Sequence, residues 1–316
     1  MEIVYITLCG KPYFGGTGEG ASPEEFRAAC VKGKAVIAVY AHIRLKDASR
    51  AEEYALTDGA VSCYGDFGYI VIDGQQALIR REEEFFDLST ARGYGDYTAY
   101  VRLDEIEKRM KDGVIFEGVN GTVISSEAKI AAGAVIGENV TVSGASVIGG
   151  GAFIGSGSRI ENSEIGENAK ITHSRVESSS IGAGTTVGPY ANVHTHSKIG
   201  AGCRIGNFVE VKNSTLGDES KAAHLAYVGD ADVGRKCNIG CGAIFVNYDG
   251  EKKCRSKVGD GAFIGSNCNV IAPVEVSDGA YLAAGSTLTV NLPARALCIA
   301  RSREVIKEGR SKYKKI

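Results

Sequence analysis

The chain has 316 residues, 44% of them hydrophobic and 23% charged, with a formal net charge of -2 at pH 7. This balance excludes a disordered chain and a global field drawing the protein to nucleic acid or a membrane surface. No apolar run is long enough to span a bilayer as a helix. The 42 glycines, against 5 prolines and no tryptophan, point to many repeated tight turns and not to a linker.

The opening residues MEIVYITLCGKPYF lack a basic flank and a long apolar core, so no secretory signal is expected. The 9 cysteines are odd in number and scattered, as in a cytoplasmic protein with reduced thiols. Residues 1–100 read as a small α/β domain. EIVYITL and KAVIAVYA read as strands, PEEFRAAC and ASRAEEYAL as helices, and FGYIVIDGQQALI as a hairpin with a DG turn. CGKPYFGGTGEG nearly spells a phosphate-binding loop, but Gly16 stands where its lysine belongs. A helical linker is expected over 101–119, on LDEIEKRMKDG.

From residue 124 an aliphatic side chain returns every six positions. Ile124, Ile130, Ile136, Val142, Ile148, Ile154 and Ile160 form one run, Ile181 to Val211 a second, and Val258 to Leu288 a third. Glycine often follows directly, as in IGENVT and IGAGTT, and a small residue sits two positions before the next aliphatic. A period of six fits neither helix nor alternating strand. It fits a parallel β-helix whose hexapeptides each form one side of a triangular coil. Residues 120–292 then make roughly nine coils stacked about 4.8 Å apart, leaving 293–316 as a basic C-terminal arm. Five-residue spacings at Ile160 to Ile165 and Val228 to Val233 read as corner adjustments. The gap from Phe245 to Val258 reads as a loop thrown out of one coil. Cys237 and Cys241 are four apart, yet no further Cys/His pair has ligand spacing, so no metal site is expected.

IGNFVEVKNSTLGDESKAAHLAYVGDADVG (205–234), CNIGCGAIFVNYDGEKK (237–253) and FIGSNCNVIAPVEVSDGAYLAAGSTLTV (263–290) carry a resemblance. Over residues 188–301 the chain resembles the acetyltransferase half of the bacterial bifunctional N-acetylglucosamine-1-phosphate uridyltransferase/glucosamine-1-phosphate acetyltransferase family. The resemblance implies a mainly β fold, a left-handed parallel β-helix, the hand being an exception to the usual crossover rule. It also implies a homotrimer with sites between subunits, acetyl-CoA as co-substrate, no metal for acetyl transfer, and a place in the synthesis of the cell-wall precursor UDP-N-acetylglucosamine.

An amine must be neutral to attack a thioester, so a base within hydrogen-bond reach should take its proton. The resemblance implies that base in His224, with Tyr227 beside it; the residue alone would sooner suit a hydrogen-bonded structural histidine. It implies sugar-phosphate contacts for Lys212 and Lys253, otherwise solvated surface lysines. Asn238 and the Asn247–Tyr248 pair match residues of the same pocket, and Asn247–Tyr248 could also simply shape a turn. Cys241, Asn247, Tyr248, Ser266, Ala284 and Arg301 fall at acetyl-CoA positions of the family, Cys241 replacing the more usual Ala. The tail beyond Arg303 reads as CoA-phosphate support or as a frayed end.

One departure bears on the acceptor. The family has Arg in the segment aligned with GPYANVHTHSKIG, where this chain has His194. Arg grips phosphate bidentately at every pH and His does not. His194 is therefore a substrate-binding candidate that leaves the acceptor open, and His194 and His196 could also be exposed strand residues. The five histidines do not fall in the zinc pattern of the γ-class carbonic anhydrases, which share the fold. YAHIRL and YGDFGYIVIDGQQALIRREEEF faintly resemble the family's nucleotidyltransferase domain, shrunken and without its acidic residue after the second strand; an unrelated small domain is the alternative. Neither supports uridyl transfer. The expected function is acetyl transfer to an amino-sugar phosphate, glucosamine 1-phosphate first. The alternatives are another amine or hydroxyl acceptor, or a non-catalytic protein that binds sugar nucleotide or CoA.

Overall fold

A computed structural model describes residues 91–308 and residue 310 and, before them, the backbone of eight short strands. Two units divide the chain, Met1–Leu103 and Asp104–Ile316. In the first, Val4–Ile6 pairs antiparallel with Pro12–Phe14 and parallel with Val36–Ala38. Tyr69–Ile72 and Gln75–Leu78 form a hairpin with Ile72 opposite Gln75, where the DG turn was expected. The helices expected on PEEFRAAC and ASRAEEYAL, and the glycines at 15, 16, 18 and 20, lie outside the described residues.

The second unit is a parallel β-solenoid. Its coils give three sheets of 10, 9 and 11 strands, about ten turns. The first sheet runs from Val123–Ile124 to Thr287–Leu288, the second from Lys129–Ile130 to Glu275–Val276, and the third from Ile115–Phe116 to Leu297–Cys298. The hexapeptide aliphatics are the inward residues: Ile136, Ile154, Ile171, Val187, Ile205, Ala222, Ile239, Ile264 and Leu282 stack along the third sheet, all buried. Burying one such side chain is worth about 1.5–3 kcal/mol. The recurrent small residue has its own role at the corner between the first and second sheets. Ser146, Ser163, Ser179, Ser197 and Ser214 form a buried column, each Oγ accepting from a backbone N–H one coil on at 2.9–3.3 Å.

The strands of the coil run from Ile115 to Cys298. These end rungs lack the repeat's signal because Ile115 and Leu297 are exposed and Phe116 and Cys298 only half-buried. Helix α1 (Ala91–Lys111) starts twelve residues before the LDEIEKRMKDG stretch on which helix was expected. Its C-terminal part closes the solenoid end, with Ile106 buried and Arg109 Nη2 donating to the carbonyls of Ser125, Ser126 and Ala128 at 3.4, 3.3 and 3.1 Å. A terminal cap of this kind shields a core that has no further coil to cover it.

The five-residue spacings are short sides at the corner between the first and second sheets. Asn162, Ser178, Asn213 and Asp230 each turn the chain there with a single positive φ of 45, 45, 47 and 49°, a region L-residues enter at a cost and Asn and Asp most readily. The extruded loop is present between Ile244–Val246 and Ser256–Val258, closed by an antiparallel bridge of Tyr248 and Lys253.

Candidate active site along one edge of the solenoid

The corner between the third and first sheets carries successive coils' residues in register. Leu225 N donates to Asn207 O at 3.0 Å, Gly242 N to Leu225 O at 2.9 Å, Asn267 N to Cys241 O at 2.8 Å, and Gly285 N to Ser266 O at 2.8 Å. The Arg301 guanidinium closes the series on Ala284 O. His224, Cys241, Ser266, Ala284 and Arg301 thus follow one another down a single edge. His224 ends the strand Lys221–His224 and is exposed. Its register partner is Asn207, whose Oδ1 lies 3.0 Å from His224 Nδ1. Cys241 is exposed while Cys237 is buried, with its Sγ 3.0 Å from Gly259 O. Burial pushes the thiols of Cys203 and Cys237 up.

The outer face of the first sheet adjoins this edge. His194 and Lys212 are register partners on adjacent coils, and Glu210 is the register partner of Tyr227 on the next. His194 Nδ1 lies 2.8 Å from Thr195 Oγ1 and Nε2 lies 3.0 Å from Glu210 Oε1. Tyr227 leans over Gly229, where a Cβ would come within 2.3 Å of the phenol oxygen. Glycine is required there for close approach, not for its φ.

The far corner of that face anchors the extruded loop. Asp230, 8% exposed, accepts from Asn213 Nδ2 and Asn247 Nδ2 at 2.5 Å each, and Asn247 Nδ2 also lies 3.3 Å from Tyr227 Oη. Arg255 fixes the loop's other end on Asp232, with Nε to Oδ2 at 2.8 Å and Nη2 to Oδ1 at 2.6 Å, and on Asn213 O at 2.7 Å. The guanidinium holds the Asp232 carboxyl below its usual range, and the carboxylate raises Arg255 in turn. At the tip, the amides of Lys252 and Glu251 lower Asp249.

The sequence-derived candidates therefore fall into groups. One edge gathers His224, Cys241, Ser266, Ala284 and Arg301, and the adjoining face gathers His194, Lys212 and Tyr227 with Asn247 beyond it. Asn238 stands apart on the third sheet between its register partners Lys221 and Phe263. Tyr248 and Lys253 are exposed on the loop. Sequence reasoning missed Asn207, Glu210, Asp230 and Arg255. The coil length could have found the first: Asn207 lies 17 positions before His224, one short coil.

The family model described as bacterial transferase hexapeptide (six repeats) matches residues 178–213. The bifunctional protein GlmU of Clostridium botulinum (strain 657 / Type Ba4) is 46% identical over 233 residues, covering 74% of this chain and 51% of that protein. The bifunctional protein GlmU of Streptococcus thermophilus (strain ATCC BAA-491 / LMD-9) is 43% identical over 263 residues, covering 81% of this chain and 55% of its own length. Among solved structures, the UDP-N-acetylglucosamine acyltransferase of Francisella novicida aligns at 18% identity with a TM-score of 0.41, over 59% of this chain and 67% of that one. The chain carries the hexapeptide repeat of that family model on a parallel β-solenoid. Over the solenoid it is a homologue of GlmU, and it spans about half the length of the curated relatives it matches.

Proposed function

We propose that the solenoid transfers the acetyl group of acetyl-CoA to the amine of an amino-sugar phosphate, with glucosamine 1-phosphate the first acceptor. The observation that carries the reading is His224, exposed at the head of an edge whose following coils present Cys241, Ser266, Ala284 and Arg301. With Nδ1–H donated to Asn207 Oδ1, the lone pair of His224 is on Nε2. Nε2 takes the proton of the attacking amine, nitrogen bonds the thioester carbonyl carbon, and the oxyanion is met by backbone N–H groups of the edge. The tetrahedral species collapses, the C–S bond breaks, and the proton passes from His224 to the leaving thiolate as free CoA. No metal enters this scheme.

Acetyl-CoA lies along the edge, with Arg301 toward its phosphates, and Lys212, Tyr227 and His194 receive the acceptor on the adjoining face. Asn238 and Lys253 stand apart from that face within one chain, so they serve a neighbouring subunit's site in a homotrimer. The test follows free thiol release from acetyl-CoA with glucosamine 1-phosphate. Replacing His224 by Ala should cost about 10²–10⁴-fold in kcat, the usual worth of a general base; equal rates for the two proteins remove the assignment.

A second reading keeps the chemistry and changes the acceptor. It is favoured by His194, whose ring nitrogens are both engaged, by Thr195 and Glu210, in the segment where the family has Arg.

A further inference from the structure

On the face beside His224, His194 is hydrogen-bonded to Glu210, a residue that the transfer scheme leaves unused. Resting on the reading of this face as the seat of an anionic acceptor, we propose that this pair is a proton-set charge switch, tightening the protein's hold on an acceptor phosphate as pH falls.

The hydrogen bonds define the switch. A carboxylate only accepts, so Glu210 Oε1 keeps a proton on His194 Nε2 in both charge states. Thr195 Oγ1 both donates and accepts. It donates to Nδ1 of the neutral ring and accepts from Nδ1–H of the cation. The ring gains or loses charge while only a hydroxyl rotates, so its position against Lys212 is kept. Imidazole is the side chain whose charge changes between about pH 5 and 8.

The surrounding charges make that proton count. Lys212, the register partner of His194, forms no ion pair among the described residues. Glu210 lies two residues before it on the same strand. On the preceding coil, Glu177 follows the register partner of Val193 and is paired with Arg175 at 2.5 Å, so those charges cancel. His196 lies beyond Thr195 at the corner, and Tyr227 faces Glu210 from the next coil. Asp230 follows Gly229, the register partner of Lys212, and is held by Asn213 and Asn247. Protonation of His194 adds one positive charge beside Lys212 to this set.

Calorimetric titration of the full chain with glucosamine 1-phosphate across pH tests this. The phosphate's own second ionisation, near pH 6, is common to all variants to first order, so the readout is the ratio of wild-type to variant affinity. Wild type should gain on His194→Gln on the order of fivefold from about pH 8 to about pH 5.5, one partly solvated charge's worth. His194→Arg, permanently charged, should bind tightly at both ends of the range. Glu210→Gln should bind better at high pH and shift the transition to lower pH, because the cation loses its carboxylate. A ratio of wild type to His194→Gln that does not change with pH overturns the switch. Acetyl transfer in parallel separates the two readings: no transfer with this pH course sinks the reaction and leaves the switch, while transfer with a constant ratio sinks the switch alone.

Discussion

At the scale of single residues, the amide of Asn207 decides what His224 can do. Its Oδ1 accepting from Nδ1–H leaves Nε2 free to take a proton; turned about, its Nδ2 would donate to Nδ1 and place the proton on Nε2, ending base catalysis. Asn207→Ala should therefore lower kcat by about 10–100-fold, the range known for partners that orient metal-bound histidines, with the acceptor KM unchanged. Asn207→Asp offers Nδ1–H a carboxylate, favours the imidazolium, and should move the acidic limb of the kcat profile to higher pH. Parallel profiles for Asn207→Asp and wild type would reduce Asn207 to a structural neighbour. Cys241 is separable in the same way. It is exposed on the donor edge, whereas burial pushes the thiols of Cys203 and Cys237 up and lowers their thiolate fraction. Iodoacetamide mapped by peptide mass should mark Cys241 well before those two, and acetyl-CoA should protect it. Labelling that acetyl-CoA does not slow would place the donor elsewhere.

At the scale of elements, the extruded loop is a hairpin pinned at both ends, by Asn247 to Asp230 and by Arg255 to Asp232. Both pins are ion- or amide-to-carboxylate bonds at a corner already turned by Asp230 with φ 49°. The Arg255 pair is half-exposed, so it adds about 0–1 kcal/mol to global stability and acts mainly on the loop. Arg255→Ala should leave the denaturation midpoint near wild type and admit protease between residues 247 and 255 where wild type resists. The sign of the pH effect follows from Asp232. Its folded pKa is depressed, so its contribution is full above the ordinary carboxylate value of 3.8 and is lost as pH falls through the lower folded value. Loop protection should then fail in acid below that value in wild type and be weak at all pH values in Arg255→Ala. Protection that survives intact in the variant would show that Asn247 and Asp230 suffice.

At the scale of the whole solenoid, what was legible in the sequence and what was not share one cause. The inward column repeats every six residues because each side of a coil buries one aliphatic, so Ile124 to Leu288 announced the rod. The end rungs did not, since Ile115 and Leu297 face solvent and give the period nothing to show. Edge residues such as His224 were reached through resemblance, while its partner Asn207 was missed because it lies one coil back and short sides make that interval vary. The same stacking predicts how damage spreads. Each coil touches only its neighbours, so Ile136 and Ile205, both 0% exposed on the third sheet, should differ in effect though not in chemistry. Either change to Ala should cost about 2–5 kcal/mol for the lost side chain and the cavity. Ile136 lies four rungs from Ile205 in that sheet, roughly 19 Å at about 4.8 Å per rung. Ile136→Ala should raise hydrogen exchange around the first coils and leave acetyl transfer at wild-type rate wherever the protein is folded. Ile205→Ala opens a void two residues from Asn207 and should lower transfer under the same conditions. Equal losses of transfer in the two variants would mean that the rod responds as one cooperative body, and that His224 is held by the whole stack and not by its neighbouring rungs.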